Sequence, residues 1–416
     1  MRVAYFCSSF PIASETFLPR EAQALSELHA QLDIYSLSGG NAEQWVHLGV
    51  KKVGIDSYLS ALSQSPVWLF KKLGFFTEAA DCLFLADQVP SQWSNFTQTL
   101  KGICMGVSLA SRIQHNKIQL LHATDGGLSA TAAWTVHRLT GIPLSIAMHT
   151  QNIFIGKGDW LLPQKIRDAA WIRTSTESTR QELIHRFPHI RSKSTAIPPG
   201  LLALPHQIPQ RFKHPVIRCL SIGPLVERKG YSDLLDILAQ MKKQGVAFEA
   251  RIVGQGPLKR SLIDQSEKLA ISPAVKFLGA LPAVEILNQY LWSDIYLYTG
   301  HPTADGDRDD LPHAILEAMA TGLPVFTTPL DGLLESVTAG FSGIVCPIGH
   351  SSIWVQSIQR VKQEPELAHK LQANAREWAQ THFDARKNAA LILDNWKRIA
   401  LMYPSRSVQK LATSNK

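Results

Sequence analysis

The sequence predicts an α/β protein built from two doubly wound parallel-sheet domains. Short apolar runs alternate with longer helix-period segments along the chain, the pattern of parallel strands covered by helices. The length, 416 residues, is large for one domain and natural for two. Near the middle, Pro198-Pro199-Gly200 with Pro205 and Pro209 breaks regular structure and reads as a linker.

In the first half the expected strands are the apolar runs at 3–7, 32–37, 120–123, 144–147, 171–174 and 195–197. In the second they fall at 216–222, 250–253, 275–278, 295–298, 325–327 and 343–346. These runs set a first domain over 1–200, a second over 201–383, a final long helix over 384–403 and a polar tail, 404–416, expected to be disordered. Residues 58–113 depart from the alternation and read as a helical insertion in the first domain, with Trp68, Phe70, Phe75 and Phe76 beside Lys71 and Lys72. Bulky apolar groups next to paired lysines suit a helix lying at a membrane interface. They equally suit an insertion packed on the domain with its lysines in water.

Hydrophobic content of 45% and charged content of 18% describe a globular chain with ample core. Basic residues exceed acidic ones by 42 to 34, which favours anionic ligands or surfaces. The excess is scattered and no nucleic-acid-binding pattern accompanies it, so nucleic acid is not an expected partner. The five cysteines are widely spaced and form no C-x-x-C, which points to a reducing cytosol rather than to disulfides or a metal knuckle. Residues 1–7 are too short for a signal peptide, and the uncharged stretch 102–111 is too short to cross a bilayer.

The segment 309–322 is the most informative. Leu311, Ala314, Ile315, Ala318 and Met319 recur at helical spacing, with Asp310 placed to cap, Pro312 at the first helical position and Gly322 just past the end. Glu317 then lies about two turns in, roughly 10 Å along the helix from its start, and Asp309 lies in the loop before it. That separation suits the two ends of one extended polar ligand, and the helix N-terminus between them attracts an anion such as a diphosphate. A nucleotide-sugar has this shape. A solvated glutamate on an amphipathic helix is the alternative for this segment taken alone.

The segment resembles the E-x7-E region of glycosyltransferase family 4, the retaining enzymes of the GT-B type. Around it, in the family's order, stand Ser221-Ile222-Gly223-Pro224-Leu225-Val226-Glu227-Arg228-Lys229-Gly230, then Gly254-Gln255-Gly256-Pro257, and Val275-Lys276-Phe277-Leu278-Gly279. Trp292-Ser293-Asp294, Gly322-Leu323-Pro324-Val325 and Gly343-Ile344-Val345-Cys346-Pro347 continue it, over roughly 216–385. The first domain resembles a narrower group, the exopolysaccharide and colanic-acid type enzymes. Phe10-Pro11-Ile12-Ala13-Ser14-Glu15-Thr16-Phe17-Leu18 matches their F-P-x-x-S-E-T-F motif, and Ile146-Ala147-Met148-His149-Thr150-Gln151-Asn152-Ile153-Phe154 resembles T-x-H-x-x-D-I-F.

The resemblance implies two Rossmann-like domains facing a central cleft, with the final helix crossing back to the first. It implies that Glu317 holds the donor's ribose and that Asp309 contacts its sugar, with Leu311 also among the donor-binding residues. Lys229 would meet the diphosphate, with Gly223 beside it, where charge builds on the leaving group, and Arg228 is the candidate to replace the clamp arginine absent at Pro224. Gly254 and Gly256 would admit backbone close to the nucleotide, though they equally suit a bare turn, and Leu278 would lie by the base. His149 would sit at the sugar, making His149, Lys229, Asp309 and Glu317 the expected catalytic set. Ser14, Glu15 and Thr16 would serve acceptor or phosphate.

Three positions depart from the pattern: Asp309 stands for glutamate, Asn152 for aspartate, and Pro224 for the arginine that completes the family's cationic clamp. His122 matches the first histidine of the group's H-A-H-F, but Thr124-Asp125 replaces its last two residues, so His122 reads as structural.

The expected function is therefore a metal-independent, retaining transfer of a hexosyl unit from a nucleotide-sugar, with no cofactor, to a glycan or lipid-linked acceptor. The expected location is the cytoplasm, at or near the inner face of the membrane. A non-catalytic nucleotide- or glycan-binding protein on the same fold is the alternative, motivated by Pro224, Asp309 and Asn152. A nucleotide-sugar epimerase is a third reading. A nicotinamide dehydrogenase is disfavoured, because no glycine fingerprint follows the first strand.

Overall fold

The structure, a computed structural model, describes residues 1–10, 17–39, 50–52, 93–148, 161–201 and 209–403. The polar tail and the 58–92 part of the insertion lie outside the described residues, as does 202–208 of the linker. The chain divides into two compact units, Met1–Pro198 with Ala385–Lys416, and Pro199–Asp384.

Unit 1 holds a seven-stranded sheet in the order β3-β2-β1-β4-β5-β6-β7. Its strands are β1 (Arg2–Cys7), β2 (Gln31–Ser36), β3 (Lys51–Lys52), β4 (Leu120–Ala123), β5 (Leu144–Met148), β6 (Trp171–Thr174) and β7 (Ser194–Ala196). Every pairing is parallel. β3 was not expected: two lysines carry no apolar signal, and they form an edge, where lysine discourages further pairing. Lys51 is held there by Asp33 at 3.0 Å.

The helix Trp93–His115 forms the described part of the insertion. It lies so close to the helix Leu128–Thr140 that a side chain at Gly106 would come within 2.5 Å of Thr135. Its Met105, Leu109 and Ile113 join the unit's core. That stretch is packed insertion; Trp68 to Phe76, on which the membrane reading rests, are outside the described residues. The helix Ala385–Met402 closes the unit. Trp396 is fully buried against His122 and Tyr5, and Arg386 reaches Glu27 at 2.8 Å.

Unit 2 holds a six-stranded parallel sheet in the order β10-β9-β8-β11-β12-β13. The strands are β8 (Ile217–Ile222), β9 (Phe248–Val253), β10 (Val275–Gly279), β11 (Ile295–Tyr298), β12 (Val325–Thr327) and β13 (Ile344–Val345). Alternate strand residues feed two cores. Ile217, Cys219, Ile295 and Leu297 pack beneath the helices Tyr231–Lys243 and Ser351–Gln363. Leu220, Tyr296 and Tyr298 pack on the other face with Ile315 and Met319 of the helix His313–Ala320. Both faces being buried explains why these strands are almost continuously apolar. In this order the chain reverses direction across the sheet between β8 and β11, and open parallel sheets bind ligands beyond the strand ends at such a point.

Candidate functional site

The turn after β8 is built by close backbone approach. Gly254 has φ +147°, and a Cβ there would lie 1.9 Å from the carbonyl oxygen of Gly223. At Gly256 a Cβ would strike the Leu225 backbone at 2.4 Å. The loops after β8 and β9 are then tied together by Leu225 N to Gln255 O, 2.9 Å, and Leu258 N to Leu225 O, 3.1 Å. These two glycines were expected to clear space for a nucleotide; the space their side chains would need is filled by the neighbouring loop. The same lack of a side chain serves loop-to-loop packing here.

Beyond this turn a short 3-10 helix, Glu227–Lys229, presents Arg228 and Lys229. Its backbone is fixed to the loop after β11 by His301 N donating to Arg228 O, 3.1 Å. Asp309 joins the two cations: Oδ1 accepts from Arg228 Nε at 3.1 Å, and Oδ2 lies 2.5 Å from Lys229 Nζ. The Tyr298 hydroxyl, at the end of β11, donates to the same Oδ2 at 2.5 Å. Burial alone would raise the Asp309 pKa, but Lys229, Tyr298 and Arg228 outweigh it and hold the carboxyl below the usual range. Burial and the Asp309 charge push the Tyr298 phenol far up, so it stays a donor. Asp307 completes the cluster, taking Arg228 Nη1 at 3.0 Å.

The acidic helix begins later than its periodicity predicts. Pro312, not Asp310, is the N-cap, with ψ 120°, and the helix runs His313–Ala320. Leu311 and Pro312 are buried ahead of the helix, so their apolar spacing mimics a first turn. Glu317 is therefore about one turn in, some 6 Å from the helix start. Its Oε2 accepts from the Tyr290 hydroxyl at 3.1 Å, which also donates to Ala314 O at 3.0 Å. At the other end Gly322 is left-handed, with Gly322 N to Met319 O and Leu323 N to Ala318 O both 3.0 Å, a Schellman closure.

A cation pair with an acidic partner stands at the reversal point, and a second carboxylate follows one turn into the next helix. The family description "Glycosyl transferases group 1" matches residues 207–378, the stretch that carries these groups. The putative colanic acid biosynthesis glycosyltransferase WcaL of Salmonella typhimurium is 27% identical over 370 residues, covering 83% of this chain and 87% of that protein. This chain is a glycosyltransferase of the GT-B fold, and residues 207–378 carry its likeness to group 1.

The amylovoran biosynthesis glycosyltransferase AmsK of Erwinia amylovora is 33% identical to this glycosyltransferase over 150 residues, 36% of this chain and 37% of that one. Among solved structures, Anabaena HepE in complex with UDP and glucose shares the fold at TM-score 0.67 and 17% identity, covering 96% of this chain and all of that one.

Of the residues expected in the site, the structure brings Arg228, Lys229 and Asp309 into contact. Gly223 lies beside them, where a Cβ would meet Lys229 Cε at 3.3 Å. Leu311 is buried in the core under the acidic helix, and Leu278 packs against the same core. Ser14, Glu15, Thr16, His149 and Asn152 lie outside the described residues. His122 is fully buried in the core of unit 1, its Nδ1 2.7 Å from the Ser145 hydroxyl. The sequence reading missed Tyr298, Tyr290 and Asp307. The tyrosines are indistinguishable from core aromatics in a strand and a helix, and Asp307 is hidden in a run of acids.

Proposed function

We propose that the glycosyltransferase moves a hexosyl unit, with retention and without a metal, from a nucleotide-sugar at unit 2 to a glycan or lipid-linked acceptor in polysaccharide assembly. The observation that carries this reading is the Lys229–Asp309 pair at the reversal point of the sheet. Glycosyl transfer from a nucleotide-sugar builds negative charge on the departing diphosphate, and a fixed cation at that place stabilises the transition state more than the ground state. Glu317, one turn further on, takes the ribose in this reading, and Tyr290 fixes its orientation.

Retention draws support from the chemistry of Asp309. A carboxylate held below its usual pKa by two cations is a poor general base. A front-face path needs none, since the leaving diphosphate takes the acceptor's proton. Metal independence draws support from Asp305 and Asp307, the acids of the D-x-D spacing. Asp305 accepts from the Thr303 hydroxyl at 2.5 Å, and Asp307 is paired with Arg228.

In this reading the acceptor falls to Ser14, Glu15 and Thr16, and His149 to the sugar. Polysaccharide assembly is supported by the relatives named for colanic acid and amylovoran biosynthesis. Among the described residues no helix is long and apolar enough to cross a membrane. A lipid-linked acceptor would bring the enzyme to the inner face of the cytoplasmic membrane.

The deciding experiment is a thermal-shift screen against UDP, GDP, ADP and their common sugars, with and without magnesium. A ligand that binds only the native state raises the melting temperature. Stabilisation by one nucleotide family without magnesium, lost in Glu317→Ala, is expected; no shift with any nucleotide would sink the donor site. Pro224, which removes a clamp cation, favours a second reading as a non-catalytic binder. Nucleotide stabilisation without hydrolysis or transfer of the matching sugar, in the presence of candidate acceptors, would establish that reading instead.

A further inference from the structure

We propose that Asp307 is a positioning residue that holds Arg228 as the second cation of the diphosphate site, the contact Pro224 does not supply. The inference rests on the proposed donor site in unit 2. Pro224 offers neither charge nor an N–H. Arg228 lies in the next turn of chain, and its backbone is pinned by the His301 amide. Its side chain is pinned twice by the loop after β11: Nη1 to Asp307 Oδ2 at 3.0 Å and Nε to Asp309 Oδ1 at 3.1 Å. Among the described residues, Nη2 makes no hydrogen bond, so one donor nitrogen of the fork stays available for an anion.

The two anchors are not equivalent. Asp309 divides its charge among Arg228, Lys229 and Tyr298, and in the proposed reaction it turns to the donor sugar. Asp307 pairs with Arg228 alone among the described cations. It is itself held in place: its carbonyl accepts from Thr303 N at 2.8 Å and Thr303 Oγ1 at 3.0 Å, and Gly306 N closes the turn onto Thr303 O at 2.9 Å. A carboxylate so braced keeps a flexible arginine in one geometry before ligand arrives, which is the preorganisation that anion binding needs.

Simple electrostatics predicts the opposite effect of removing Asp307. Deleting a negative charge beside an anion site strengthens anion binding. Weaker binding on neutralising Asp307 therefore reports the loss of Arg228's placement.

The test measures UDP, GDP and ADP binding to the full chain by calorimetry, with the matching nucleoside as control, in Asp307→Asn, Arg228→Ala and the double variant. Each single variant is expected to bind the preferred nucleoside diphosphate about tenfold more weakly or worse, with nucleoside binding unchanged. The double variant is expected to be no weaker than Arg228→Ala, because Asp307 acts through that side chain. Asp307→Glu should recover part of the loss, and it serves as the test should Asp307→Asn fail to fold. Equal or tighter diphosphate binding by Asp307→Asn, or additive losses in the double variant, overturns the inference while leaving the donor site standing. A wild-type protein that binds none of the three nucleotides overturns the donor site and the inference with it.

Discussion

Asp309 sits within hydrogen-bond distance of Lys229, Arg228 and Tyr298, and the sign of its pKa shift makes this arrangement testable. A depressed carboxylate contributes stability that is fully present above its unfolded-state pKa and is lost as pH falls through the depressed folded value. Tyr298→Phe removes one donor to the charged form and moves that folded value upward. The acid limb of kcat/KM should therefore shift to higher pH, and the variant should lose about 1.5–3 kcal/mol at neutral pH by denaturant titration. An unmoved acid limb would show that the Asp309 charge does not govern the reaction. At this scale Lys229, Asp309 and Glu317 were legible because motif spacing fixes their places. Tyr298 was not, because a tyrosine in an apolar strand reads as core until its hydroxyl is seen to meet a carboxylate.

The acidic helix shows what periodicity gives and withholds. Its buried face, Ile315, Leu316, Ala318 and Met319, follows from helical spacing. Ile315 is fully buried, and Ile315→Ala should cost about 2–5 kcal/mol in chemical denaturation. The start of the helix was misplaced because Leu311 and Pro312 are apolar and buried without being helical. Spacing records burial, and backbone dihedrals decide where hydrogen bonding begins. The β8 and β9 loops carry a comparable demand at Gly254. Gly254→Ala forces a side chain onto the Gly223 carbonyl at positive φ, so a lowered melting temperature of unit 2 is expected even without nucleotide. Unchanged stability there, with weakened nucleotide binding, would return Gly254 to the role of clearing space for a ligand.

Across the whole chain, the two sheets and their parallel order follow from alternating strands and helices, and unit 1 is finished by the last described helix. Trp396 buries itself against Tyr5 and His122, so the central strands β1 and β4 depend on residues far along the chain. Near them Tyr5 donates to Glu21 at 2.8 Å, and Glu21 is paired with buried Arg173, which also holds Ile197 O at 2.8 Å. Trp396→Ala should cost about 3–5 kcal/mol, read by calorimetry as a drop in the melting of unit 1. A drop confined to unit 2 would contradict this dependence.

The sequence by itself determined the α/β class, the two-sheet organisation and nearly all the strands, and it singled out Arg228, Lys229 and Asp309, which the structure brings together. These are local signals: apolar period, turn residues and motif spacing survive in one dimension. Only the tertiary structure showed that Gly254 and Gly256 after β9 pack on the loop after β8, that Tyr298 and Tyr290 brace the two acids, and that Asp307 holds Arg228. Each of these is a contact between segments separated by many residues, whose distance is set by sheet order and backbone approach. Lys51–Lys52 belongs with them, since an edge strand is defined by the neighbour it joins rather than by apolar residues of its own.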